Sequence, residues 1–266
     1  MKTWVMLFRR EFWENRALWI APLASAGFLL AAMLAALLGS RHIEINATSD
    51  VDLSVMHGAM GASAMGIAGL MLAVASLAIA AYLIDCLYAE RRDRSILFWK
   101  SLPVSDAQTV LSKFIVAMVI VPLGVYVAAL CLHLLGTLLL LLFGRDLPLV
   151  HDGWSVPGWF GLQVDILGRL VLALLWYAPV ATYLMLASVL ARKVPMLTAL
   201  MPLLVLAIAE RLVLGSSEVT RFLIGRVAAG PFDALPLASP GLWLGLVAAA
   251  GMLLLTIRLR RYRDDT

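Results

Sequence analysis

Few residues in this sequence combine the side chains and the spacing that chemistry requires. The histidines are scattered, and no two lie four residues apart, the spacing that places two metal ligands on one face of a helix. No glycine precedes a lysine, so the phosphate-binding pattern of a P-loop is absent. The sequence therefore predicts neither a metal site nor a nucleotide site on this chain.

Three ionisable residues fall within or beside long apolar stretches. His133 lies inside one stretch, and an ionisable group within a membrane span is a functional candidate by default. Because a neutral histidine is much easier to bury than a charge, we favour a structural hydrogen-bonding role over proton or ligand handling. Asp165 and Arg169 are four residues apart at the start of another stretch, and we interpret them as an anchoring ion pair rather than a substrate contact.

The longest charged segment, residues 88–113, is the strongest candidate for binding a partner. It contains several basic residues and an apolar knot at residues 96–99. An apolar cluster inside a charged loop needs headgroups or a protein partner to cover it. We interpret the loop as a docking element; the alternative is that it binds only anionic lipid.

The composition indicates the class of fold that must position these residues. Hydrophobic residues make up 62% of the chain, charged residues 14%, and the mean hydropathy is +0.93. Soluble domains have roughly 45–50% apolar and about 25% charged residues, so a soluble globular fold is excluded. Six apolar stretches reach the roughly 20 residues that a helix needs to cross a bilayer: 17–39, 58–84, 114–143, 166–191, 195–214 and 240–257.

The placement of basic residues predicts the orientation of these spans. Most Lys and Arg residues fall in the N-terminal segment, the loop at 85–113, the turn at Arg192 and Lys193, and the C-terminal tail. Few fall in the intervening loops. By the positive-inside rule, both termini are expected in the cytoplasm.

Residues 1–16 are predicted to form an interfacial helix. Trp4, Phe8 and Phe12 recur every four positions and share one face, whereas Arg9 and Arg10 lie off that stripe, where anionic headgroups could meet them. The alternative is a helical extension of the first span.

Two further elements are predicted from local patterns. Small residues at Gly58, Ala62, Gly66 and Gly69 indicate a face where another helix can approach closely, and we favour packing within the chain over a dimer seam. Residues 216–239 are expected to contain an outer helical element, with Ser216 or Ser217 as its N-cap.

Within the charged loop, Pro103 is expected to end a local helix and Ser105 to start the next, with Gln108 completing a capping box. The same loop contains Glu90, Arg91, Leu97, the run Ser-Leu-Pro-Val-Ser at 101–105, and Lys113. In these residues it resembles the cytoplasmic loop of the permease subunits of ABC-2 type transporters. The specific match is confined to this loop, while the spans, the N-terminal helix and the outer element agree as architecture.

The resemblance implies an all-α integral membrane protein, a single transmembrane domain over residues 1–266 with six transmembrane helices, an N-terminal interfacial helix and a cytoplasmic coupling helix. It implies a permease in the inner membrane that is not itself an enzyme. A separate ATP-binding subunit would hold ATP and Mg²⁺, and a second permease copy or a homologue would complete the pathway. The implied ATPase-coupling residues are Glu90, Arg91, Arg92, Arg94, Leu97, Phe98, Trp99, Lys100, Leu102 and Pro103.

The few fixed charges within the spans favour a hydrophobic, lipidic or peptidic cargo over a small ion, and its export is what the resemblance implies. Nothing indicates a nucleic-acid partner. Two other functions remain open. An intramembrane lipid-modifying enzyme would have to use His151, Asp152, Asp165 and Arg169, which form no recognisable motif. A non-transporting membrane scaffold would need no reactive cluster at all.

Overall fold

The computed structural model describes residues 2–39, 53–93, 104–143, 155–228, 237 and 239–262. Within these ranges the longer regular elements are all α- or π-helical, and six helical segments are long and apolar enough to cross a membrane. The helices are α1 (Lys2–Glu14), α2 (Ala17–Gly39), α3 (Leu53–Arg92), α4 (Asp106–Ile115), α5 (Val121–Phe143), α6 (Val156–Leu190), α7 (Pro195–Ala209), α8 (Glu218–Ala228) and α9 (Pro240–Tyr262).

Two π-helical turns extend this set. Val116–Ile120 joins α4 to α5, so that α4, the turn and α5 form one continuous candidate span. Glu210–Leu214 follows α7 and ends at Gly215, whose φ of +62° is a left-handed conformation that glycine adopts without strain. The all-helical class and the six candidate spans expected from the sequence are therefore confirmed.

The predicted capping box fixes the start of α4. Ser105 Oγ accepts a hydrogen bond from the Gln108 backbone N–H at 3.2 Å, and Gln108 Oε1 accepts one from the Ser105 N–H at 3.1 Å. Two unpaired backbone donors are satisfied reciprocally, which sets where the helix begins.

Two helices extend beyond the predicted spans. α3 continues to Arg92, well past residue 84, and α6 begins at Val156 rather than near 166. In α3, hydropathy ends the span before Asp85, but the helix continues and its later charges Glu90 and Arg91 find partners within the protein.

The chain divides into two compact units. The first contains α1, α3 from Ala78, α4 with its π-helical turn, α6 from Arg169, and α7 to α9; α1 and α9 both pack against α4. The second contains α2, α3 up to Leu77, α5, and α6 up to Gly168. There α2 packs closely on α5: a Cβ at Gly136 would lie 3.0 Å from Met33 Sδ.

No helix among the described residues covers the predicted small-residue stripe on α3. Ala62, Gly66 and Gly69 are exposed, while the side-chain surroundings of Gly58 lie outside the described part of the chain. The residues buried on this stretch of α3 are instead Ala64, Ala68, Met71 and Ala75. This helix carries small residues at helical spacing on more than one face, so spacing alone could not identify the packed one.

Candidate functional site: a buried ion cluster

Four almost fully buried charged residues meet in the first unit. Glu11 of α1, Glu90 of α3, Lys113 of α4 and Arg260 of α9 keep between 1% and 5% of their surface exposed. Each of them lies four residues, about one helical turn, after another buried residue and therefore on the same buried face of its helix. The preceding residues are, in the same order, Leu7, Cys86, Thr109 and Thr256.

Lys113 and Glu90 are the centre of this cluster. Lys113 Nζ lies 2.7 Å from Glu11 Oε1 and 3.3 Å from Glu90 Oε1. Arg260 Nη2 lies 2.9 Å from Glu90 Oε2, and Arg10 Nη2 lies 3.1 Å from Glu90 Oε1. Glu90 therefore meets three cations that arrive from three different helices.

Neutral and half-exposed groups complete the cluster. Glu11 Oε2 accepts hydrogen bonds from the Tyr82 hydroxyl at 2.6 Å and from Asn15 Nδ2 at 3.1 Å. Asp106 Oδ1 lies 3.6 Å from Arg260 Nη1. All four oxygens of the two buried carboxylates thus have a cation or a hydrogen-bond donor, as buried charges require.

Arg10 connects the cluster to its surface. Its Nε donates to Glu14 at 2.9 Å, while its Nη2 reaches inward to Glu90. Burial alone would lower the pKa of Arg10, but the Glu14 hydrogen bond and the negative charges of Glu90 and Glu11 outweigh it and raise the pKa. Arg10 therefore stays cationic.

This arrangement is suited to holding helix ends together rather than to acid–base chemistry. Every carboxylate oxygen is already bound, so neither Glu11 nor Glu90 presents a free base to a substrate. The ion pairs instead join the end of α3 and the start of α4 to α1 and α9. Those two ends flank residues 94–103, which lie outside the described residues.

A second set of contacts holds the end of α3 against the end of α6. Arg91 Nη2 donates to the carbonyls of Ser188 at 2.8 Å and Ala191 at 2.9 Å, binding carbonyls that a helix leaves unpaired at its C-terminus. Ser188 Oγ accepts from the Tyr88 N–H at 3.0 Å, and the Tyr88 hydroxyl donates to the Lys193 carbonyl at 2.7 Å.

The structure gives the predicted coupling residues unequal positions. Glu90 is buried among cations and Arg91 donates to helix carbonyls, so both make contacts within the chain that the prediction did not include, and their part in coupling stays a prediction. Sequence adjacency had grouped them with the loop, whereas α3 continues and turns them inward. Arg92 is exposed, with its Nε 3.0 Å from Asp93. The others lie outside the described residues: Arg94, Leu97, Phe98, Trp99, Lys100, Leu102 and Pro103.

The first helix differs from the prediction at Arg10, which pairs with carboxylates instead of facing headgroups. Leu7 and Glu11 form its buried side and Phe12 is 49% exposed, so the aromatic face remains available and its interfacial position stays a prediction. Sequence reasoning missed Glu11 and Arg260 as site residues. The sequence did contain a signal for them: each is a charged residue one helical turn after an apolar or small polar residue, near the end of an apolar stretch.

His133 forms a separate polar contact in the second unit. It is 9% exposed, its Nδ1 lies 2.6 Å from Gln163 Nε2, and its ring stacks on Trp159 with 5.7 Å between ring centroids. This geometry agrees with the structural role expected from the sequence. Asp165 and Arg169 lie four residues apart in α6; their pairing stays a prediction.

The element around α8 is held by two charged residues in the first unit. Glu210 accepts hydrogen bonds from the backbone N–H groups of Val219 at 2.8 Å and Thr220 at 2.9 Å, so it supplies the cap expected from Ser216 or Ser217. At the other end of α8, Arg226 Nη1 donates to the Gly241 carbonyl at 2.9 Å and its guanidinium stacks 4.5 Å from the Trp176 ring.

Comparison with known proteins finds no relative of this chain. No protein-family model, no curated protein and no solved structure matches the chain.

Proposed function

We propose that this chain is the membrane-spanning permease subunit of an ATP-driven transporter of the ABC-2 type. It would export a hydrophobic, lipidic or peptidic cargo across the inner membrane, with both termini in the cytoplasm. A separate ATPase subunit, carrying ATP and Mg²⁺, would dock on residues 88–104, and a second permease copy or a homologue would complete the pathway.

The observation that carries this proposal is the anchoring of both ends of the docking loop. Glu90 precedes residues 94–103, Lys113 follows them, and the two are 3.3 Å apart with Glu11 and Arg260 bound on either side. These ion pairs attach both ends of the loop rigidly to neighbouring helices. A loop that receives a push from a partner requires such attachments, because force reaches the spans only through them.

Two further facts support the same function. The residues that carry the family resemblance include Glu90 and Lys113, the two at the centre of the cluster. The basic residues are concentrated at the loop and the termini, which favours a cytoplasmic position for this face. There the loop would be within reach of an ATP-hydrolysing protein.

The experiment that tests the proposal is purification of the tagged chain from its own cells in mild detergent. An ATPase containing a P-loop is expected to copurify. In reconstituted vesicles the Phe98→Ala/Trp99→Ala variant should retain the fold but uncouple ATP hydrolysis from cargo movement. A matched control replaces two exposed aromatics elsewhere, Phe28 and Trp243, which are 71% and 58% exposed. Absence of an associated ATPase, or normal coupling in the Phe98/Trp99 variant, would refute the proposal.

A further inference from the structure

A groove of about 400 Å³ lies among α4, α6 and α9 of the first unit. Phe114 and Met118 line it from α4 and the π-helical turn, Leu175 from α6, and Leu246 from α9. All of these helices belong to candidate spans, so once they cross a bilayer the groove would open toward its hydrocarbon. Its rim is open, since Val171 is 48% exposed.

The described walls of this groove offer no free polar side chain to a ligand. Among the described lining residues Thr182 carries the one polar side chain, and its Oγ1 donates within α6 to the Ala178 carbonyl at 3.0 Å. A polar molecule entering here would lose hydrogen bonds to water without replacement, whereas a hydrocarbon has none to lose. The chemistry of the lining therefore selects an apolar occupant.

Two of the helices that form the groove are irregular where they line it. Met118 and Val119 lie on the π-helical turn Val116–Ile120, and Ala178 directly precedes Pro179, which cannot donate a helical hydrogen bond. At both positions the backbone departs from the regular α-helical hydrogen-bond pattern. Small residues, including Ala249 and Ala250 on α9, leave the space between these walls.

We infer that this groove binds one hydrocarbon chain of a lipid-like molecule. Its volume equals roughly a dozen times the ~30 Å³ that a water molecule fills in the liquid, and a methylene group fills a similar space. A chain of roughly a dozen carbons therefore fits, contacted by three helices instead of by one flat surface. In the proposed transporter, on which this statement rests, the groove is where the hydrocarbon chain of the cargo passes from the bilayer into the protein.

The test measures binding of a fatty acid that carries a photoactivatable diazirine on its chain. Full-length protein in phosphatidylcholine nanodiscs is titrated with this probe, irradiated, and the cross-linked peptides are quantified by mass spectrometry. Labelling of the peptides that contain Met118 and Leu175 should saturate and should be displaced by unlabelled fatty acid. Filling the groove with Ala250→Trp, or with the smaller Ala250→Leu, should lower that labelling at least fivefold. Ala248→Trp, at an exposed position on the same helix outside the groove, should leave it unchanged.

Two results would overturn the inference. Labelling that rises without saturation and is equal in all variants would mean that only bulk lipid contacts these helices. A disulfide between copies of Ala250→Cys, in a Cys131→Ser background, would mean that a second copy of the chain covers the groove. The binding readout needs no ATPase, so failure of an ATPase to copurify would refute the transporter proposal while leaving this site standing.

Discussion

Replacing Lys113 with methionine is expected to destabilise the protein severely. Lys113 is 2% exposed and is the one cation within salt-bridge distance of Glu11 among the described residues. Without it, the Glu11 carboxylate keeps only the neutral donors Tyr82 and Asn15. Leaving one buried charge without its partner costs about 3–5 kcal/mol. At roughly 2–4 °C per kcal/mol for a chain of this size, the melting temperature should fall by about 10 °C.

The measurement is the temperature at which half of the detergent-solubilised protein leaves the monodisperse peak in size-exclusion chromatography. Lys193→Met is the matched control, because Lys193 is exposed and the substitution is the same. It should melt within about 4 °C of the parent protein, since exposed charges contribute at most ~1 kcal/mol. If Lys113→Met melts equally close to the parent, the ion cluster does not hold these helices and the reasoning is wrong.

A second variant separates loss of pairing from loss of packing. Glu11→Gln combined with Lys113→Met removes both charges, and the glutamine side chain can still accept the hydrogen bond from Tyr82. Replacing an entire buried ion pair is often nearly neutral, in contrast to removing one partner. The double variant should therefore recover most of the lost melting temperature. A double variant as unstable as Lys113→Met would show that methionine simply does not fit at this position.

Two smaller changes test the local geometry. Gly245→Ala would place a Cβ against the Arg226 guanidinium, so this overpacking should lower the free energy of unfolding by about 1–3 kcal/mol. Gly251→Ala is the control, because open space surrounds the added Cβ there. It should leave the melting temperature unchanged or slightly higher. Ser105→Ala removes the hydroxyl that caps α4 and should cost about 1 kcal/mol. Its effect should appear as faster amide hydrogen exchange at Gln108, and unchanged exchange there would contradict the role of the cap.

Most of the fold follows from hydropathy because the bilayer imposes a simple rule. Every backbone polar group in the hydrocarbon must be bonded within the segment, so a run of about 20 apolar residues becomes a helix. That rule predicts six spans, and the Ser105 capping box is equally local and equally predictable. Which face of a helix packs is not local. On α3 the exposed Gly66 and the buried Ala68 are both small, and only the neighbouring helices distinguish them.

The ion cluster could not be assembled from the sequence for a related reason. Positive-inside counting treats Arg260 as tail charge and Lys113 as loop charge, and Glu11 looks like an interruption before the first span. In the structure these three side chains and Glu90 converge from sequence positions as distant as 11 and 260. Hydropathy averages charges over a window and ignores their direction, so it cannot distinguish a solvated charge from one that is turned inward.

Charged residues occupy this junction although apolar residues would pack there equally well. The reason lies in how helices associate in a membrane. Lipid is as apolar as leucine, so burial of hydrocarbon gives neighbouring spans no preferred partner or register. Lys113 reaches Glu11 at 2.7 Å and Glu90 at 3.3 Å only when α1, α3 and α4 stand in one relative position. A slip of one helix by a single residue would separate these atoms and leave buried charges unpaired, whereas an apolar interface would tolerate it. The cluster therefore gives the junction of α1, α3, α4 and α9 a single register that hydrophobic packing in a bilayer does not supply.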